Sequence, residues 1–74
     1  MSNQQSDIKA QVGETAGKVW HELSSAGPQT LAQLKKKFNG DSELLNLAVG
    51  WLARENKVDI TPEKKTLRVQ VRGA

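Results

Sequence analysis

The chain has no cysteine and no tyrosine, and only one phenylalanine, one methionine, one histidine and two prolines in 74 residues. Without cysteine there is no disulfide, no thiolate metal site and no cysteine nucleophile. The single histidine, His21, cannot build a histidine metal cage. With no Ser or Cys nucleophile in an identifiable motif, it reads as a surface or boundary residue. Glu14 and Glu22 lie two turns apart on one helix, too far to work as a catalytic pair, and read as solvated charges. No catalytic residue, cofactor or metal ligand is therefore expected, and the chain reads as non-enzymatic. No apolar run approaches the ~20 residues of a membrane span. The N-terminal MSNQQSD lacks the basic and apolar regions of a signal peptide, so the expected location is cytoplasmic. Gly13-x-x-x-Gly17 has the spacing of membrane helix dimers, but its surroundings are charged and short. A chain of this length holds one domain with a modest core. With no covalent staple, stability must come from packing, with self-association as the remaining reinforcement.

What is present is basic charge, unevenly spread. The net charge is +3. Residues 1–30 hold two Lys and three acids, residues 31–56 four bases and three acids, and residues 57–74 five bases and two acids. A basic C-terminal third suits a polyanionic partner.

Met1–Ser6 has no periodicity and reads as a disordered lead-in to a single domain over residues 7–72, with Asp7 as N-cap. Ile8, Val12, Ala16, Val19 and Leu23 form one helical stripe. Gly27-Pro28 ends that first helix. Gly13 and Gly17 inside it cost ~1 kcal/mol each relative to Ala. They lie beside the stripe with Trp20 at its edge, which suggests that something bulky packs closely there. Gln29-Thr30 is extended and can form a short edge strand. Thr30 with Gln33 is a capping box for a second helix, whose inner face is Leu31, Leu34 and Phe38. Asn39-Gly40-Asp41 is a tight link, and Asp41 or Ser42 caps a third helix that runs to about Glu55 and stops at Asn56. Lys57–Thr61 and Thr66–Val71 alternate with period two. Pairing Thr61 with Thr66 across Pro62–Lys65 would bring Ile60 to Leu67 and Val58 to Val69 inside, and Asp59 to Arg68 outside.

The order is helix, short strand, helix, turn, helix, strand, wing, strand. This is an α+β winged helix-turn-helix, a three-helix core with a C-terminal two-stranded β-hairpin wing. GETAGKVWHEL (Gly13–Leu23), TLAQLKKKF (Thr30–Phe38) and AVGWLARENKVDI (Ala48–Ile60) resemble a family of small, stand-alone winged helix-turn-helix proteins of unassigned function. The most distinctive parts are Gly-x-x-x-Gly-x-x-Trp and Gly-Trp-Leu-Ala-Arg, and the likeness covers roughly residues 8–70. It implies a fold and brings no substrate or site residue with it.

On the third helix Leu44, Leu45, Ala48, Val49 and Leu52 form the core-facing arc. Leu47 and Trp51 widen it, leaving Glu43, Asn46, Gly50, Ala53 and Arg54 outside. A recognition helix offers polar side chains to base edges from its N-terminal half. Here that half carries Asp41 and Glu43, and Asn46 is its one good base reader. Trp51 is expected in the core, packing across to Gly13, Gly17 and Trp20; the other reading is an exposed partner anchor. An exposed Leu47 would favour a protein-facing surface. Candidate nucleic-acid contacts are Lys36 and Lys37 on the second helix, Asn46 and Arg54 on the third, and Lys64 and Lys65 at the wing. Arg68 reads as occupied by Asp59. No aromatic interleaves with these bases, which argues against a single-strand stacking platform. Two functions follow. One is a DNA-binding module of the kind that serves transcription regulation, with double-stranded DNA held by the wing and second helix. The alternative is a protein-interaction or homodimerisation module on the same scaffold, with Leu47 and Trp51 at the interface.

Overall fold

The computed structural model describes residues 3–38 and 42–72, with side chains from Ile8 onward. The elements are α1 (Asn3–Ala26), β1 (Gln29–Thr30), α2 (Leu31–Lys37), α3 (Ser42–Arg54), β2 (Val58–Glu63) and β3 (Thr66–Val71). The winged helix-turn-helix topology expected from the sequence is the one observed. Helix α1 begins at Asn3, so Asn3–Ser6 are helical backbone rather than an irregular lead-in, and Asp7 lies inside the helix rather than capping it. The expected turn at Asn39-Gly40-Asp41 lies outside the described residues.

Local chemistry sets the ends of the helices. Gly27 takes φ +91° and its N–H donates to the Leu23 carbonyl at 2.9 Å, closing α1 with a left-handed residue before Pro28. The Thr30 hydroxyl accepts from the Gln33 N–H at 3.1 Å, and the Gln33 side-chain oxygen accepts from the Thr30 N–H at 2.9 Å. This is the reciprocal capping box that starts α2. At the end of α3, Asn56 has φ +61°. The Lys57 N–H reaches the Leu52 carbonyl and the Asn56 N–H reaches that of Ala53. These are the paired bonds of a Schellman motif.

The sheet has the order β1-β3-β2, all antiparallel. The two residues of β1 pair with Val69 and Arg68, so the wing hairpin is tied back to the start of α2. The hairpin register differs from the expected one. Glu63 pairs with Thr66, Thr61 with Arg68, Ile60 with Val69 and Val58 with Val71, leaving a two-residue tip, Lys64-Lys65. A shift of two keeps every side chain on its face, but it moves the charges. Asp59 stands opposite Gln70 instead of Arg68. It faces Arg72 instead, whose Nε lies 3.9 Å from an Asp59 carboxylate oxygen; both side chains are about half exposed. Arg72 also donates to Asn56 Oδ1 at 3.1 Å. Pro62 is tolerated within β2 because that strand is an edge.

The core is Ala16, Val19 and Leu23 of α1, Leu34 of α2, Leu45, Ala48, Val49 and Leu52 of α3, and Val58 and Val69 of the hairpin. Leu31, Phe38, Ala53, Ile60 and Val71 pack against it half-buried. The stripe of α1 is therefore real, but its first member, Ile8, is exposed. A helix of 24 residues is about 36 Å long and one of 13 about 20 Å, so α3 does not cover the N-terminal end of α1. Leu67, expected inside, is also exposed, near the wing tip. Among the described residues no helix is long and apolar enough to cross a membrane.

Candidate nucleic-acid and protein interfaces

Two outward regions hold the candidate residues. The first is the wing with the adjoining face of α2. Lys64 and Lys65 form the exposed hairpin tip, Lys64 with φ +52°. A left-handed first loop position matches the twist of a two-residue hairpin, although Lys lacks the freedom of Gly or Asn there. Arg68 is exposed on β3 and stands opposite Thr61 on one side and Thr30 on the other. Asp59, its expected partner, stands opposite Gln70, so Arg68 counts as a third base on the wing. The nearest acid in sequence is Glu63, at the base of the turn.

On α2, Lys36 is exposed. Lys37 is also exposed, but its ammonium sits 2.5 Å from Glu22 of α1. Glu22 is therefore not a solvated charge. It accepts from Lys37 and from the side-chain amide of the buried Gln29 at 3.1 Å, joining α1 to both β1 and α2. The hydrogen bond from Lys37, then that from Gln29, hold the Glu22 carboxyl below its ordinary value.

The second region is the flank formed by α1 and α3. Here the expectation of a buried Trp51 is overturned: Trp51 is 51% exposed and Leu47 55%. Leu45, Ala48, Val49 and Leu52 of α3 are buried, and Leu47 and Trp51 stand on the shoulder of that buried face. Trp20 is 40% exposed and Ile8 51%. Neither Gly13 nor Gly17 is needed for close packing inside the chain, because a Cβ at either would meet no atom within 4 Å. The side chains border a furrow. One stretch, of about 560 Å³, lies between Ile8, Val12 and Gly13 on one wall and Leu47 and Trp51 on the other, with Lys9 at its edge. It continues past Gly17 to Trp20 and Lys57. Beyond Trp20 a further hollow reaches Pro28, Val71 and Arg72.

Asn46 and Arg54 are exposed on α3, as expected, together with Glu43 and Gly50. The structure thus brings Leu47 and Trp51 together with α1. It leaves Lys36 and Lys37, Asn46 and Arg54, and Lys64 and Lys65 on three separate elements, all solvent-facing. The sequence counts Arg68 among the bases around the wing but pairs it with Asp59, and it does not single out Trp20 or Ile8 as interface residues. The correct turn length separates the first from Asp59. The other two need the crossing of α1 over α3, which a helical wheel does not contain.

The chain was compared with known proteins. A family model described as "Winged helix-turn-helix domain (DUF2582)" matches residues 6–71. An "Uncharacterized protein MJ1608" from Methanocaldococcus jannaschii is 39% identical over 62 residues, 80% of this chain and 87% of that one. The solution NMR structure of protein BT2368 from Bacteroides thetaiotaomicron is similar at TM-score 0.74 and 45% identity, over 88% of this chain and 79% of that one.

Proposed function

Since the chain belongs to the DUF2582 family of winged helix-turn-helix domains, we propose that it is a non-enzymatic module that binds duplex DNA chiefly through phosphates, with its wing and α2 supplying the contacts. The observation that carries this reading is the wing. Lys64, Lys65 and Arg68 are exposed on one hairpin, and the register puts threonines rather than an acid opposite Arg68. The hairpin is paired up to its two-residue tip, so the three bases are carried on one regular element. Lys36 adds a further exposed charge, while Lys37 is partly neutralised by Glu22.

Helix α3 supplies little of the code. Its solvent face carries Glu43, Asn46, Leu47, Gly50, Trp51 and Arg54. Only Asn46 has the paired donor and acceptor that match adenine, and Glu43 repels phosphate at the helix end where the dipole would attract it. The binding should therefore be weakly sequence-dependent and strongly salt-dependent. The test is an NMR titration of labelled protein with a mixed-sequence duplex at low salt. Shifts at Lys36, Lys64, Lys65 and Arg68 that vanish on raising salt are expected. Unmoved amides at all four positions would sink the reading.

A further inference from the structure

We propose that the α1–α3 furrow is a self-complementary interface that docks a second copy of this chain across a two-fold axis. The inference is independent of the DNA reading, because Lys36, Lys64, Lys65 and Arg68 are not among the residues lining the furrow.

The relief of the surface is the first reason. Helix α1 turns a track of small exposed residues outward, Ala10, Gly13 and Gly17. Directly beside it stand the bulky shoulders Leu47, Trp51 and Trp20, about half exposed. Gly13 and Trp51 line the same hollows. A two-fold interface uses one patch twice, so it needs knobs and hollows on the same face. This face has both, and a copy turned through 180° can set its tryptophan over the glycine track of the other.

The glycines are the second reason. Within one protomer they stand in open space, yet each weakens the helix that carries the domain's main stripe. Close approach of another helix makes use of the missing side chains, as small residues do wherever two helix backbones meet.

Area is the third. Trp20, Trp51, Leu47 and Ile8, each about half exposed, leave on the order of 100 Å² open apiece, or ~400 Å² together. That is about half of the ~800 Å² which each partner contributes to a standard interface, and suits its apolar centre. The glycine track and the stems of Lys9 and Lys57 extend the patch. Arg72 at the far end is already held by Asn56 and Asp59 of its own protomer.

Sedimentation of the full chain from about 1 µM to about 1 mM tests the proposal, with the apparent mass expected to rise from one chain to two. Gly17→Leu and Trp51→Glu should each hold the mass at one chain at concentrations where the unaltered protein is dimeric. An added Cβ at Gly17 meets no atom within 4 Å inside the protomer, and the Leu side chain extends into the open hollow beside Trp20 and Trp51, so the amide NMR spectrum of Gly17→Leu away from that hollow should stay that of the folded domain. Isotope-filtered NMR of a mixed sample should show contacts between the Trp51 indole and the Gly13 and Gly17 α-protons of the other copy. A mass of one chain throughout the range overturns the proposal. So does a dimer that persists in folded Gly17→Leu. Neither result touches DNA binding by the wing.

Discussion

The flank and the wing are both exposed, yet they were made outward-facing by different means and offer opposite chemistry. The wing is polar by composition: alternation puts Val58 and Val69 inside, and Thr61, Arg68 and Gln70 on the outer face. Its exposure follows from a strand period of two and needs no tertiary information. The flank is apolar by composition and exposed by geometry. Leu47 and Trp51 continue the core-facing arc of α3, and only the path of α1 leaves them uncovered. A charged hairpin is at rest in water. An uncovered shoulder of Leu and Trp is stable only to the extent that the rest of the core holds α3 in place, and it keeps an unspent capacity to bury surface.

The largest expected effect sharpens that contrast within α3 itself. Leu45 is fully buried, while Leu47, two residues on, is more than half exposed. Leu45→Ala removes packed core atoms and leaves a cavity, at a cost of about 3 kcal/mol. That is a large share of what so small a domain has, and its melting temperature should fall by more than about 10 °C. Leu47→Ala, measured at concentrations of about 1 µM to exclude association, should stay within about 0.5 kcal/mol. Equal losses in the two variants, followed by denaturant unfolding, would mean that the shoulder is part of the core and the contrast false.

The next effect lies in the wing. Lys64→Glu with Lys65→Glu should weaken duplex binding by at least ~10-fold at low salt and flatten the salt dependence by about two phosphate contacts' worth. Trp51→Ala should leave both unchanged, read by fluorescence anisotropy of a labelled duplex. A Trp51→Ala variant that loses more affinity than the double wing variant would break the division of labour between the two regions.

Much of the fold was legible because it rests on local signals. Thr30 and Gln33, Gly27 and Asn56 all mark helix ends by side-chain or backbone chemistry that acts within a few residues, and each sits where it was expected. The hairpin register was not legible. A shift of two leaves the inner and outer faces unchanged, so alternation cannot choose between a four-residue and a two-residue loop. The deciding residue, Lys64, carries a positive φ without being Gly or Asn. The flank was misread for a related reason. The wheel of α3 gives the width of its apolar arc, and a small domain gains by burying it, so Trp51 was placed inside. Which part of a wide arc is covered depends on where α1 crosses, and that is set by long-range packing. The start of α1 was missed too, because Asn3–Ser6 carry no apolar stripe.

The smallest expected effect sits at the seam between the two regions. Glu22 belongs to α1 but binds Gln29 of β1 and Lys37 of α2, and these hydrogen bonds lower its pKa. A carboxyl whose pKa is lower folded than unfolded contributes stability above its unfolded value. That contribution is lost as pH falls through the folded value. The unaltered protein should thus lose some stability between about pH 5 and pH 3 that Glu22→Gln does not lose. The difference should be small, since the Lys37 partner is half exposed and solvent screens the pair. Denaturant midpoints at the two pH values, compared between the two proteins, read it directly. The same substitution frees the Lys37 ammonium beside Lys36 and should raise duplex affinity slightly at neutral pH. If affinity falls instead, Glu22 is needed to hold α2 in position for binding, and the flank and the wing are coupled through this one carboxylate rather than independent.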